Sequence, residues 1–184
     1  MTTPSPDPTD PLDAPTAALA AAVLEVSRHV ETEALPRPRW YALARQAELL
    51  ADSPGLASLL GIEGEAATDP LSLTPIELDE STGAPGTDGP ADPLHALAGM
   101  TWPAGLAAGG ALACDLAPEA WDLRDGAGAE DLPAGGALRV VAAAMADGTT
   151  WTAVRRPGGE GYVLGAALVP DLVAALAETV AELA

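Results

Sequence analysis

The stretch ALRVVAAAMADGTTWTAVRR, residues 137–156, predicts a β-hairpin. Two apolar runs flank Asp147-Gly148, and this dipeptide favours a two-residue type I′ turn because both central residues take positive φ. Such a turn places Met145 opposite Thr150, and the pairing continues outward from there. The sequence therefore predicts two antiparallel strands joined by a tight turn.

In this register one face of the hairpin carries the largest aromatic side chain and no hydroxyl group, which indicates that it lies in the core. Arg139 and Arg156 face each other on the opposite side, and because like charges repel, each needs an acidic group nearby. A carboxylate of the chain itself or a bound anionic ligand or partner would satisfy them. The predicted core face consists of Leu138, Val140, Ala142, Ala144, Trp151 and Ala153.

Helical periodicity predicts an amphipathic helix at each end of the chain. The first spans residues 14–33, and the second begins at Pro170, which can occupy the first position of a helix. Residues 39–44 fit either a strand or a helix, while 54–60 predict a short helix that ends before Gly61.

Two further strands are predicted between these helices. Residues 71–78 form an apolar island that Pro75 confines to a sheet edge, because proline cannot donate to a strand partner. Residues 106–116 predict a strand with a bulge at Gly109-Gly110. The chain therefore predicts an α+β fold with a mainly antiparallel sheet of about four to five strands and amphipathic terminal helices packed on it.

Composition divides the chain into one domain and a tail. The 184 residues and 48% hydrophobic content are sufficient for one domain with a core, predicted at residues 14–184. Residues 1–13 are rich in Pro and Asp and predict a disordered tail. Two acidic segments, 63–93 and 117–136, predict mobile loops.

The chain is strongly acidic, with 27 Asp and Glu against 8 Arg and a net charge of −19. No Lys or Arg lies between Arg45 and Arg124. This field argues against binding of nucleic acid or of anionic lipid. A basic partner, solubility and adaptation to high salt are the alternatives that explain it.

The amino terminus and the lone cysteine predict a cytoplasmic protein, and the a/d spacing of Val173, Leu176, Val180 and Leu183 leaves both a monomer and a homodimer open. The amino terminus lacks the basic start of a signal peptide, and no apolar run approaches the roughly 18 residues of a membrane span. Cys114 lies within a predicted strand, which indicates a small core residue. A single cysteine also fits a reducing compartment.

No catalytic, cofactor-binding or metal-binding residue can be nominated. The chain has no lysine, which excludes a standard phosphate-binding loop or pyridoxal Schiff base, and it lacks GxSxG and HExxH motifs. The leading hypothesis is a non-enzymatic interaction module, an acidic adaptor or chaperone-like protein. The alternative is a small-molecule binding protein with a pocket between sheet and helices. The candidate partner or ligand surface comprises Trp40, Trp102, Arg139, Trp151 and Arg156.

Three blocks of the sequence carry a family resemblance. The chain resembles a small uncharacterised actinobacterial family named after a propionibacterial locus. The resemblance implies a strand at residues 40–44 and no known activity. Members' genes tend to lie near genes for a large membrane protein and a PDZ-type protease, which implies an envelope-associated partner. The Gly-rich run after Arg156 and the acidic insertions depart from the family pattern. The blocks are residues 37–62 continued by 72–80, residues 97–116, and residues 137–156 with 165–183.

Overall fold

The computed structural model describes residues 12–62, 68–85, 92–116, 137–156, 158–159 and 161–183. It is an α+β fold with a six-stranded antiparallel sheet. The sequence predicts about four to five strands, so the sheet has at least one strand more. The predicted tail and the loop at 117–136 fall almost wholly outside these residues. Of the segment 63–93, the described part from 68 to 85 contains a strand and a short 3-10 turn.

The helices and strands follow one another in an order that places a helix at each end. The helices are α1 (Ala14–His29), α2 (Gln46–Asp52), α3 (Pro54–Leu59), α4 (Pro93–Leu97) and α5 (Pro170–Val180). The strands are β1 (Arg39–Arg45), β2 (Leu73–Leu78), β3 (Gly109–Leu116), β4 (Leu138–Met145), β5 (Thr150–Arg155) and β6 (Tyr162–Gly165). The first helix ends four residues earlier than predicted, and β6 is the additional strand.

The sheet has the order β2-β1-β3-β4-β5-β6. Residues 39–45 are therefore a strand, as the family resemblance implies. Strand β2 lies at one edge of the described sheet, with Pro75 opposite Leu43 of its partner strand β1, so the edge position predicted for this proline is confirmed.

Both faces of the sheet are covered, and each face has its own hydrophobic cluster. Helix α1 packs on one face against side chains that include Tyr41, Leu43 and Val141. Helix α5 packs on the other against Leu112, Val140 and neighbouring side chains. Residues 140–145 are buried without interruption, as expected for a strand covered on both sides.

The predicted register of the hairpin is wrong by one residue. Thr150 pairs with Ala144, and Arg139 pairs with Arg155 rather than Arg156. The loop has three residues, 146–148, of which Gly148 alone has positive φ, at 87°. The carboxylate of Asp147 accepts a hydrogen bond from the amide of Thr149 at 2.9 Å, which stabilises this longer turn.

A shift of one residue moves every side chain of β5 to the other face of the sheet. The four β4 residues assigned to the core do share the α5 face. Trp151 and Ala153 instead belong with the α1 cluster, so the predicted combined face does not exist. The continuous apolar run of β4 was the sequence signal that both faces are buried.

The bulge predicted at Gly109-Gly110 is also absent, because both glycines pair in a continuous ladder with β1 and β4. A Cβ on Gly110 would lie 2.3 Å from the Trp102 indole. Glycine is needed here for the close approach of an aromatic ring and not for an irregular backbone.

Candidate functional site

Two of the three candidate tryptophans are packed in the core on the α5 face. Trp40 lies in β1 and Trp102 in the segment before β3, with 4% and 8% of their surfaces exposed. The Trp102 indole nitrogen donates a hydrogen bond to the hydroxyl of Thr179 in α5 at 3.1 Å. Trp102 therefore joins the segment before β3 to α5, and Trp40 belongs to the same hydrophobic cluster.

Trp151 lies on the other side of the sheet, at the edge of the α1 cluster, and is half-buried. Arg139 also lies on that side, since it bonds to backbone that follows α1. The five candidate residues therefore do not line one pocket.

Arg139 joins three parts of the chain. Its Nε and Nη2 donate to the two carboxylate oxygens of Asp115 in β3, each at 2.9 Å. Its Nη1 and Nη2 also donate to the carbonyls of Val30, Glu31 and Glu33, just after α1. The hydrogen bonds with Asp115 are the main cause that raises the pKa of Arg139. The predicted need for a nearby acidic group is met within the chain.

Arg155 lies beside Arg139 and is held more loosely. Its Nη1 is 3.2 Å from a carboxylate oxygen of Glu31, which is exposed, and its Nη2 donates to the Glu31 carbonyl at 2.8 Å. The guanidinium also lies over the ring of Tyr162, at 5.6 Å from the ring centroid. The Tyr162 hydroxyl in turn donates to the carbonyl of Ser27 in α1 at 3.2 Å.

An open cleft of about 350 Å³ lies beside Arg139 and Arg155. We call it the arginine cleft. Arg156 lies in the same cleft, so two of the five candidate residues come together there. The lining consists of Asp115, Ala137, Arg139, Arg155, Arg156, Gly158 and Gly159.

A second surface, which the sequence analysis did not single out, lies on α2 and α3. Leu56, Leu59 and Leu60 are spaced i, i+3 and i+4, so they share one side of α3 and its end. Leu59 is 86% exposed, while the small Ala57 of the same helix is fully buried. We call Leu50, Leu56, Leu59 and Leu60 the leucine surface.

The chain matches the model of a known protein family. A family model described as PPA1309-like protein matches residues 19–181. The chain belongs to this family. No curated protein and no solved structure matches the chain.

The matched range of this family begins within α1 and ends in the short 3-10 turn after α5, so it spans the whole sheet, all of α5 and α1 from residue 19 onward. It contains the three blocks on which the resemblance rests, apart from residues 182 and 183. Both the arginine cleft and the leucine surface lie inside it. They are therefore features of the family domain of this chain and not of a terminal extension.

Three other findings concern the described residues. Burial raises the pKa of the Cys114 thiol, and the side chain is packed in the α5 cluster, as predicted for a small core residue. In the part of the chain that the structure describes, no group of three or more His, Cys, Asp or Glu side chains could hold a metal ion. Among the same residues no helix is long and apolar enough to cross a membrane.

Proposed function

We propose that this protein is a non-enzymatic interaction module, an acidic adaptor or chaperone-like protein, that binds its partner through the leucine surface. The observation that carries this proposal is the reversed burial of α3. Its alanine is inside and its leucines are outside, although burying a leucine stabilises a fold more than burying an alanine.

The reversed burial has a structural cause in the cluster beneath these helices. This small cluster is formed by Ala44, Leu49, Ala57 and Ile62, and it needs only the Ala57 methyl group from the centre of α3. The leucines are therefore not required to hold α3 against the sheet. Exposed apolar groups of this kind on a soluble domain are typical of a protein interaction site.

The charge around the leucine surface indicates the chemistry of the partner. Glu48 and Asp52 lie on α2, both exposed, in the span of sequence that has no Lys or Arg. Like charges across an interface are unfavourable, whereas a basic segment would be attracted. We therefore propose a partner segment that combines apolar anchors with Arg or Lys.

Genes that lie near those of family members suggest an envelope-associated partner. The free Cys114 fits a reducing compartment. On these grounds we propose a cytoplasmic adaptor that reaches an envelope protein from the inside.

The test is recovery of the tagged full chain from its own host at moderate salt, followed by native mass spectrometry. We expect a partner in stoichiometric amount with the unmodified chain and its loss with Leu59→Ser. A matched pair of variants controls for general loss of apolar surface: Leu56→Ser lies in the leucine surface at 36% exposure, and Leu94→Ser lies in α4 at 37%.

Of this matched pair, Leu56→Ser is expected to weaken capture of the partner and Leu94→Ser is not. If no stoichiometric partner is found, or if Leu94→Ser weakens capture as much as Leu56→Ser, the proposal is wrong.

A further inference from the structure

A small cleft opens between α2 and the turn at residues 103–106, and we call it the α2 cleft. Its volume is about 140 Å³, the space of several water molecules. Leu49 gives it an apolar wall and belongs to the small cluster around Ala57, against which Leu106 also packs. The lining includes Arg45, Glu48, Leu49, Asp52, Gly105 and Leu106.

The α2 cleft adjoins the leucine surface. Asp52 and Ser53 line the cleft, and they lie in the chain between Leu50 of α2 and Leu56 of α3. Ser53 ends the first of these helices and directly precedes the second. Because both features share this pair of helices, one segment of a partner can contact the leucines and enter the cleft at the same time.

The carboxylates of the cleft are only partly compensated. Glu48 and Asp52 are both exposed and lie four residues apart in α2, a spacing at which like charges repel. Arg45 is the basic group among the described residues of the lining. Its Nε is 3.7 Å from a carboxylate oxygen of Glu48, and its Nη1 donates to the carbonyl of Pro70 at 2.9 Å. Two carboxylates therefore face one guanidinium that is also engaged elsewhere, and a second cation would relieve their repulsion.

The opposite wall of the cleft leaves room for a long side chain. Ala104 and Gly105 are exposed, and a Cβ on Gly105 would meet nothing within 4 Å. Gly105 has φ at 75°, so this turn favours glycine and carries no side chain there. An arginine suits such a site, because its methylene groups pack on apolar walls while its guanidinium meets carboxylates. Arginine is also enriched at protein interfaces, where lysine is depleted.

We propose that the α2 cleft holds an arginine side chain of the protein that binds the leucine surface, with the guanidinium between Glu48 and Asp52. This inference rests on the proposed function and names the polar anchor of the same partner. Charge complementarity is the argument for it. A second copy of this chain is a poor occupant, since at a net charge of −19 each copy would bring its own carboxylates to the interface.

The test uses the amide of Nα-acetylarginine as a probe for a partner's arginine side chain, and NMR follows the backbone amide signals of the isotope-labelled full chain. We expect the signals of Ser53, Gly105 and Leu106 to shift with this probe and not with the neutral amide of Nα-acetylglutamine. Asp52→Asn should weaken binding of the arginine probe about two- to fivefold, the range for one exposed ion pair. The matched control Glu178→Gln removes the same charge from an exposed position of α5 and should leave binding unchanged.

A variant of opposite sign keeps the proposal testable if Asp52→Asn folds poorly. Arg45→Gln removes the guanidinium that competes for Glu48, so it should tighten binding of the arginine probe by a similar factor. The proposal is overturned if the cleft signals do not move, if the glutamine probe moves them as much, if Asp52→Asn and Glu178→Gln weaken binding equally, or if Arg45→Gln weakens it. None of these results depends on capture of a partner through Leu59, so failure of the cleft is distinguishable from failure of the leucine surface.

Discussion

The two faces of the sheet are joined to their helices in different ways. On the α1 face, the side chains of Arg139, Arg155 and Tyr162 all hydrogen-bond to backbone of α1 or of the residues directly after it. On the α5 face the contacts are mainly apolar, with Trp102 seated on Gly110 and bonded to Thr179. One layer is therefore positioned by directional polar groups and the other by shape.

The largest effect is expected from breaking the polar junction, which consists of the hydrogen bonds from Arg139 to Asp115 and to the carbonyls that follow α1. Arg139→Met should lower the free energy of unfolding by about 2–4 kcal/mol, because it leaves Asp115 and several carbonyls without their donor in a partly buried site. Urea denaturation measures this change. The control Arg45→Met removes a longer ion pair with the exposed Glu48, at 3.7 Å, and one hydrogen bond to the Pro70 carbonyl, and should cost less than about 1 kcal/mol. Equal losses in the two variants would contradict a special role for the junction.

The apolar layer is tested by adding one methyl group. Gly110→Ala forces the new Cβ into the Trp102 indole and should destabilise the fold by about 1–3 kcal/mol, measured by thermal and urea unfolding. Gly55→Ala in α3 is the matched control, since its Cβ would meet nothing within 4 Å and alanine favours a helix. A Gly110→Ala variant as stable as the unmodified chain would mean that the ring can move aside.

A paired experiment compares single hydrogen bonds across the two layers. Tyr162→Phe removes the bond to Ser27 on the α1 face, and Thr179→Val removes the bond from Trp102 on the α5 face. Each should cost about 0.5–1.5 kcal/mol in chemical denaturation. We expect the larger loss from Thr179→Val, because it leaves a largely buried indole N–H without an acceptor. The reverse order would show that the α5 layer tolerates polar defects better than the α1 layer.

Part of this fold can be predicted from the sequence alone. Regular patterns predict the helices at both ends, the edge strand with Pro75 and the three antiparallel segments, because each depends on local periodicity or on a proline. The hairpin register is wrong because Asp147-Gly148 fits both a two-residue and a three-residue loop, and the choice depends on Asp147 binding the Thr149 amide.

The candidate sites divide in the same way. Arg139 was correctly expected to have an acidic neighbour, since unpaired like charges on a sheet are unfavourable. Trp40 and Trp102 pack on the α5 face while Arg139 lies on the α1 face, and no local pattern reveals this division. The arginine cleft likewise depends on residues that meet only through the fold. The leucine surface was visible as apolar spacing in α3, but nothing local reveals that Ala57 alone is buried there.

The smallest effect on stability is expected on the leucine surface, which belongs to neither layer. Leu59→Ser should change the free energy of unfolding by less than about 0.5 kcal/mol, because the side chain is 86% exposed in the folded chain. Leu49→Ser, in the buried cluster below, is the opposite control and should destabilise strongly. Urea titrations of the two variants check both expectations. A loss above about 1 kcal/mol for Leu59→Ser would mean that the leucine stabilises the chain itself, and its exposure would then no longer support a surface reserved for a partner.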